Sequence, residues 1–166
     1  EGLRPTTDRL KETLFNWLMM DVREAKVLDC FAGAGSLGFE AASRGASEVV
    51  CIEKDKQAAE QLKSNCSLLQ ANTQIQVISG DFFKVQPRLS DTFDVIFIDP
   101  PFHKGMVSTV ISSLMREHRL NADAMIYIEQ EQDASFDLLS SEWAAQFELL
   151  KEKTAGQVMA RLYRLQ

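Results

Sequence analysis

The sequence predicts an α/β protein built on a doubly wound, mostly parallel sheet. Three observations carry this expectation. Apolar runs of strand length alternate with segments of helical periodicity through most of the chain. The first run, Val27-Leu28-Asp29, passes through Cys30-Phe31-Ala32-Gly33-Ala34-Gly35 into Ser36-Leu37-Gly38, so a strand ending in an acid meets a glycine-rich turn that opens a helix. An open α/β sheet places a nucleotide-like ligand at such a turn. The last two strand-like runs flank Thr154-Ala155-Gly156 and read as a hairpin, which makes one strand antiparallel.

The elements follow in order. Thr6 or Thr7 can cap a first helix in which Leu10, Leu14, Phe15, Trp17 and Leu18 recur at helical spacing. Lys26 to Asp29 is the first strand and Ser36 to Arg44 the first crossover helix, ended near Gly45. Glu48 to Glu53 is the second strand, and Lys56 to Gln70 a helix with Ala59, Leu62, Cys66 and Leu69 on one stripe. Ile75 to Ile78 is a third strand, followed by Gly80-Asp81-Phe82. Phe93 to Ile98 is a fourth, nearly continuous in apolar residues and bounded by Pro100-Pro101. Val107, Val110, Ile111 and Leu114 mark the next helix, Ala124 to Ile128 the fifth strand, and Leu138 to Gln146 a weaker helix. Phe147 to Lys153 and Val158 to Leu165 form the hairpin.

The length of 166 residues predicts one domain, residues 1–166, long enough for a real core. A hydrophobic content of 45% argues against disorder. No apolar run approaches the roughly 20 residues of a membrane span, and there is no signal-peptide pattern. Cys30, Cys51 and Cys66 are odd in number and lack CxxC spacing, so they read as reduced thiols of a cytoplasmic protein. A net charge of −6 means that any nucleic-acid surface must concentrate its positive charge locally. The chain begins with Glu1 and not with methionine, which suggests a short missing upstream segment.

The chemistry is expected in the loops after the strands. Gly33, Gly35 and Gly38 fit GxGxxG, a motif that lets backbone approach a ligand and that by itself fits a dinucleotide dehydrogenase equally well. Glu53 ends the second strand, where a carboxylate can accept from ribose hydroxyls. Asp81-Phe82 pairs an acceptor for an adenine amino group with an aromatic ring. Asp99-Pro100-Pro101-Phe102 is the strongest signal. Its prolines fix φ and remove N–H donors, leaving the Asp99 carboxylate and nearby carbonyls as acceptors. Phe102 supplies a flat face for a base. Two such acceptors can turn a conjugated amine toward an electrophilic methyl, with positioning as the main contribution and no metal required. Arg4, on a Pro-stiffened segment, suits a phosphate or carboxylate.

Asp29-x-Phe31-x-Gly33-x-Gly35 with Glu53, Asp81 and Asp99-Pro100-Pro101-Phe102 resembles the class I amino-methyltransferases that use S-adenosyl-L-methionine (AdoMet). Leu3-Arg4-Pro5-Thr6-Thr7-Asp8-Arg9, Glu12-Thr13-Leu14-Phe15-Asn16-Trp17-Leu18 and Ala155-Gly156-Gln157-Val158 resemble a narrower family, the RsmD-type 16S ribosomal RNA guanine-N2 methyltransferases. The resemblance implies a Rossmann-like, seven-stranded sheet and methylation of a guanine on its exocyclic N2. It puts Asp29, Gly33 and Gly35 around the methionine part of AdoMet, with Phe31 also at the cofactor. Glu53 falls at the ribose, Asp81 and Phe82 at the adenine, and Asp99, Pro100, Pro101 and Phe102 at the target base. Arg4, Thr6, His103 and Lys104 would lie near the substrate. The partner implied is 16S RNA, bound by a monomer and held in a small-subunit assembly intermediate or subunit. A basic segment normally precedes the Leu-Arg-Pro-Thr run in this family, in keeping with a missing start.

Two other activities share these motifs. A DNA adenine-N6 methyltransferase would use the same amine chemistry, although no separate DNA-recognition domain is evident. A nicotinamide dehydrogenase would use the glycine loop and Glu53 but leave Asp99-Pro100-Pro101-Phe102 idle. A pure AdoMet- or RNA-binding module would leave that turn without a purpose as well.

Overall fold

The computed structural model describes residues 7–71, 74–100, 106–131 and 142–166. Helix α1 (Asp8–Trp17) comes first, capped by Thr7, whose hydroxyl oxygen accepts from the Leu10 N–H at 3.2 Å. That bond fills one of the donors a helix start leaves unpaired. There follow β1 (Lys26–Asp29), α2 (Ser36–Ser43), β2 (Glu48–Glu53), α3 (Lys56–Leu68) and β3 (Ile75–Ser79). Asp55 caps α3 by accepting from the Ala58 N–H at 3.0 Å. Next come α4 (Phe82–Val85), β4 (Phe93–Ile98), α5 (Met106–Arg116), β5 (Leu120–Glu131), β6 (Phe147–Ala155) and β7 (Val158–Leu165).

The seven strands form one sheet in the order β3-β2-β1-β4-β5-β7-β6. Strands β1 to β5 pair in parallel, and β7 runs antiparallel to both of its neighbours. The expected doubly wound sheet with a closing antiparallel hairpin is therefore present. Chain order reverses between β1 and β4, the place where such sheets leave a crevice at their carboxyl edge.

Two apolar layers sandwich the sheet. Val27, Cys51, Val95, Phe97 and Tyr127 pack on one face with Leu14 and Phe15 of α1, Leu37 and Ala41 of α2, and Leu62 of α3. Leu28, Ile52, Ile96, Ile98, Ile126 and Ile128 pack on the other with Phe82 of α4 and Val107, Val110 and Leu114 of α5. Buried on both sides, the central strands need apolar residues at every position, which is why they read as continuous runs.

Three elements depart from expectation by more than two residues. Strand β5 extends well beyond Ala124–Ile128 at both ends, because β4 and β7 supply partners as far out as Leu120 and Glu131. Helix α4 was not anticipated; Asp81 accepts from the Phe83 N–H at 3.1 Å and nucleates this single turn. Of the helix expected over 138–146, residues 138–141 lie outside the described residues, and the remainder holds only a 3-10 turn, Ala144–Gln146. The chain enters β6 at Phe147 and leaves no length for more.

Candidate active site

A strand turns successive side chains to opposite faces, so residues two apart share a face. Val27, Cys51, Phe97 and Tyr127 all lie under α1, α2 and α3. Two residues further along each strand stand Asp29, Glu53, Asp99 and Glu129. Four adjacent strands thus each present an acid on one face at the carboxyl edge, in the order Glu53, Asp29, Asp99, Glu129 across β2, β1, β4 and β5. Asp29 pairs with Cys51 and Phe97, so it sits two residues back from the other three. Three of the four are buried: Asp29 and Glu129 at 2% exposure and Glu53 at 6%.

The glycine loop is built onto this row. Gly33 and Gly35 take positive φ, 58° and 84°, which glycine adopts without the steric cost of a Cβ. The Gly33 N–H donates to Glu53 Oε1 at 2.7 Å, and the Asp55 N–H donates to Glu53 Oε2 at 2.8 Å. Glu53 therefore clasps the loop to the end of β2 as well as facing the crevice. A Cβ on Gly35 would come within 2.3 Å of Leu62 Cδ2, whereas one on Gly33 would meet nothing within 4 Å. The space above Gly33 is open for a ligand. Gly38 lets α2 close on β2, since a Cβ there would sit 2.8 Å from Cys51 Sγ. Gly35→Ala is accordingly expected to destabilise the chain by about 1–3 kcal/mol, and Gly33→Ala by only about 1 kcal/mol. Urea unfolding of the two variants checks this, and equal costs would mean that Leu62 yields freely.

Burial raises the Asp29 carboxyl to about 7; N–H bonds from Phe31 and Gly38 oppose the shift, and the charges of Glu53 and Glu129 add to it. The charges that bear on Asp29 are thus those of other acids, which is an environment suited to a cationic ligand. The same burial pushes the Cys30 and Cys51 thiols well above their ordinary range, leaving them unreactive.

Asp81 spends a carboxylate oxygen as the cap of α4. The Phe82 ring is 2% exposed and packs among Phe31 and Phe83, at centroid distances of 5.5 and 5.0 Å. It has no open face for an adenine; what it can offer is its backbone N–H, at a helix start where such donors lack intrahelical partners. Phe31 and Phe83 are only half-buried and supply the more accessible rings here.

Asp99 and Pro100 leave β4 half-exposed. Arg4, Thr6, Pro101, Phe102, His103 and Lys104 lie outside the described residues. Sequence reasoning missed Glu129 and Tyr127. The Tyr127 hydroxyl donates to Glu129 Oε1 at 2.7 Å. Burial, followed by the charges of Glu129 and Asp99, holds that hydroxyl protonated. A usable signal existed: Glu129 follows the apolar run 124–128 just as Glu53 and Asp99 follow theirs.

Of the described cations Arg9, Lys11, Lys151, Lys153, Arg161 and Arg164, three form ion pairs. Lys11 lies 3.9 Å from Glu40, Arg161 2.5 Å from Glu152 and Arg164 2.8 Å from Glu148. Solvent-accessible pairs of this kind contribute little to stability. Arg9, Lys151 and Lys153 are exposed. Among the described residues no helix is long and apolar enough to cross a membrane.

Residues 1–164 match the family model described as Conserved hypothetical protein 95. The chain is 49% identical over 167 residues to the Ribosomal RNA small subunit methyltransferase D of Haemophilus influenzae, covering 98% of this chain and 83% of that one. It is 40% identical over 162 residues to the protein of the same name from Escherichia coli, covering 98% and 79%. Among solved structures, the yhhF protein of Escherichia coli superposes with a TM-score of 0.89 at 38% identity, over 100% of this chain and 89% of that one. An RNA methyltransferase of Salinibacter ruber in complex with S-adenosyl-L-homocysteine superposes at 0.72 with 12% identity, over 98% and 94%, and shares the fold alone.

Proposed function

This chain belongs to the ribosomal RNA small subunit methyltransferase D family, and on that premise we propose that it transfers a methyl group from AdoMet to the exocyclic N2 amine of a guanine in 16S ribosomal RNA. The observation that carries the reading is the acid row beside the clasped glycine loop. AdoMet brings a positively charged sulfonium whose methyl is electrophilic, together with an ammonium. The residues fit it: burial, and after it the charges of Glu53 and Glu129, raise the pKa of Asp29, the space above Gly33 is open, and Glu53 binds the loop beside it.

In this reading Asp29 and the loop of Gly33 and Gly35 hold the methionine end, and Glu53 accepts from the ribose. Asp81 and the Phe82 N–H meet the adenine edge. Asp99 and the Pro100 carbonyl accept the two N–H bonds of the guanine amine, which turns its lone pair out of conjugation and toward the methyl. Pro101 keeps that turn rigid and Phe102 stacks on the base. A bond forms from N2 to the methyl carbon as the carbon–sulfur bond breaks, and the resulting ammonium loses its proton to water or Asp99. Arg4, Thr6, His103 and Lys104 flank the substrate. The chain works as a monomer in the cytoplasm on RNA already carrying ribosomal proteins.

The test is methyl transfer from labelled AdoMet to small ribosomal subunits or assembly intermediates from cells lacking the activity, with nucleoside analysis. Label in N2-methylguanosine is the expected result. Label in N6-methyladenosine would overturn the target base. Absence of label with AdoMet bound would leave a binding module in place of an enzyme.

A further inference from the structure

We infer that Gln86 and Arg119 are positioning residues for the cofactor's adenine, holding α4 so that Asp81 and the Phe82 N–H meet the adenine edge; this rests on the adenine placement proposed above. No role assigned so far uses either residue. Three observations point to them.

The first is the shortness of α4. It is a single turn and continues only into a 3-10 turn, Gln86–Arg88. A helix of this length does not hold its own shape, because few hydrogen bonds offset the cost of starting it. Its leading end is tied to the site. The Gly80 N–H donates to the Glu53 carbonyl at 2.9 Å, and the Lys84 and Val85 N–H groups donate to the Asp81 carbonyl at 3.0 and 2.9 Å. Its trailing end needs an anchor as well.

The second is the Gln86 amide, which supplies that anchor. The Gln86 N–H donates to the Phe82 carbonyl, so the two residues are joined across the turn. The Gln86 side chain is fully buried. Its Nε2 donates to Ser113 Oγ of α5 at 2.5 Å, and its Oε1 accepts from Arg119 Nε at 3.0 Å. Both ends of the amide are therefore partnered, which fixes its direction.

The third is the reach of Arg119. It is 9% exposed, and its guanidinium also donates to the Pro87 carbonyl at 3.1 Å and the Asp91 carbonyl at 3.3 Å. Its own backbone is held: the N–H donates to the Leu114 carbonyl at 3.0 Å, and the carbonyl accepts from the Phe93 N–H at 2.8 Å. The three acceptors are neutral, a side-chain amide and two backbone carbonyls. A planar fork of fixed donors meets all three at once. Phe82 also shares an apolar cluster with Ile111 and Leu114 of α5, but apolar contact is non-directional. The hydrogen bonds set how the turn is rotated, and with it where the Phe82 N–H points.

The consequence is selectivity for adenine. Its edge offers an amine that donates beside a ring nitrogen that accepts. Hypoxanthine carries a carbonyl and an N–H in those places and reverses both. An acid and an N–H distinguish the two bases only while they are held in register.

The experiment is calorimetry of S-adenosyl-L-homocysteine and S-inosyl-L-homocysteine on the wild type, Arg119→Met and Gln86→Leu. The wild type is expected to prefer the adenine compound by on the order of a hundredfold. Each variant should narrow that preference to about tenfold or less. In methyl transfer to small subunits the KM for AdoMet should rise about tenfold, while kcat at saturating AdoMet stays within about twofold. A network that only stabilises the fold would weaken both compounds alike, or neither, and keep the wild-type ratio, which overturns the inference. A fall in kcat with KM unmoved would also overturn it. Should neither variant fold, Ser113→Ala replaces them by removing one partner of the Gln86 amide. The preference should then narrow in the same direction, and an unchanged ratio is the contrary result. If the wild type binds the two compounds equally, the adenine placement of Asp81 and Phe82 fails and this inference with it. If the wild type discriminates and the variants keep its ratio, this inference alone fails.

Discussion

Asp99→Ala is expected to abolish methyl transfer while AdoMet still binds. Asp99 stands directly after β4, between the acids of β1 and β5. Its removal takes away an acceptor for the amine without touching the Glu53 bonds to the Gly33 and Asp55 N–H groups. Loss of one positioned polar group in a catalytic site costs on the order of a hundredfold or more in rate. Single-turnover transfer to small subunits, set against calorimetric AdoMet affinity, separates the two effects. Near-wild-type transfer would remove Asp99 from the mechanism. A parallel loss of AdoMet affinity would move it from the amine to the cofactor.

Asp29→Asn is expected to stabilise the unliganded chain at alkaline pH and to weaken cofactor binding. Burial is the main cause of the raised Asp29 pKa, from 3.8 to about 7. Below the lower value the carboxyl is protonated in folded and unfolded chains alike and contributes no difference. Between the two values the folded chain holds a proton that the unfolded chain has released, so stability falls as pH rises. Above about 7 both are ionised and the full cost of a buried charge remains. That cost is on the order of 4 kcal/mol at most. Asparagine keeps an oxygen for the Phe31 and Gly38 N–H groups and carries no charge. Its advantage in thermal unfolding should therefore be largest at about pH 8 and vanish by about pH 4. AdoMet affinity should drop at least about tenfold, the scale of one hydrogen bond to a charged group. A variant less stable than wild type at alkaline pH would show that the neighbouring N–H groups hold the carboxylate more firmly than burial opposes it.

Local chemistry made much of this legible in advance. The Thr7 cap, the limits of β1, β2, β4 and β7, and the glycine turn each depend on residues adjacent in the chain. A loop needing positive φ must show glycine, and a strand buried on both faces must show unbroken apolar residues. Asp81 shows where such reading stops. The acid after β3 was visible, but its service as a helix cap, and the burial of the Phe82 ring beside it, depend on how α4 folds back onto the core. The ends of β5 were likewise beyond local reading, because β4 and β7 provide the hydrogen bonds that extend it.

By itself, then, the sequence determined the order of the strands and of α1, α2, α3 and α5, the parallel winding, the closing hairpin and the loops that carry acids. Those follow from periodicity and turn chemistry, which act over a few residues. Only the tertiary structure decided that Glu53, Asp29, Asp99 and Glu129 stand in one row on one face. It alone set Glu53 as the clasp of the glycine loop and brought the Tyr127 hydroxyl onto Glu129. Strand order and register bring these groups together across up to a hundred residues of chain, and nothing in the local spacing of any one strand records which strand will lie beside it.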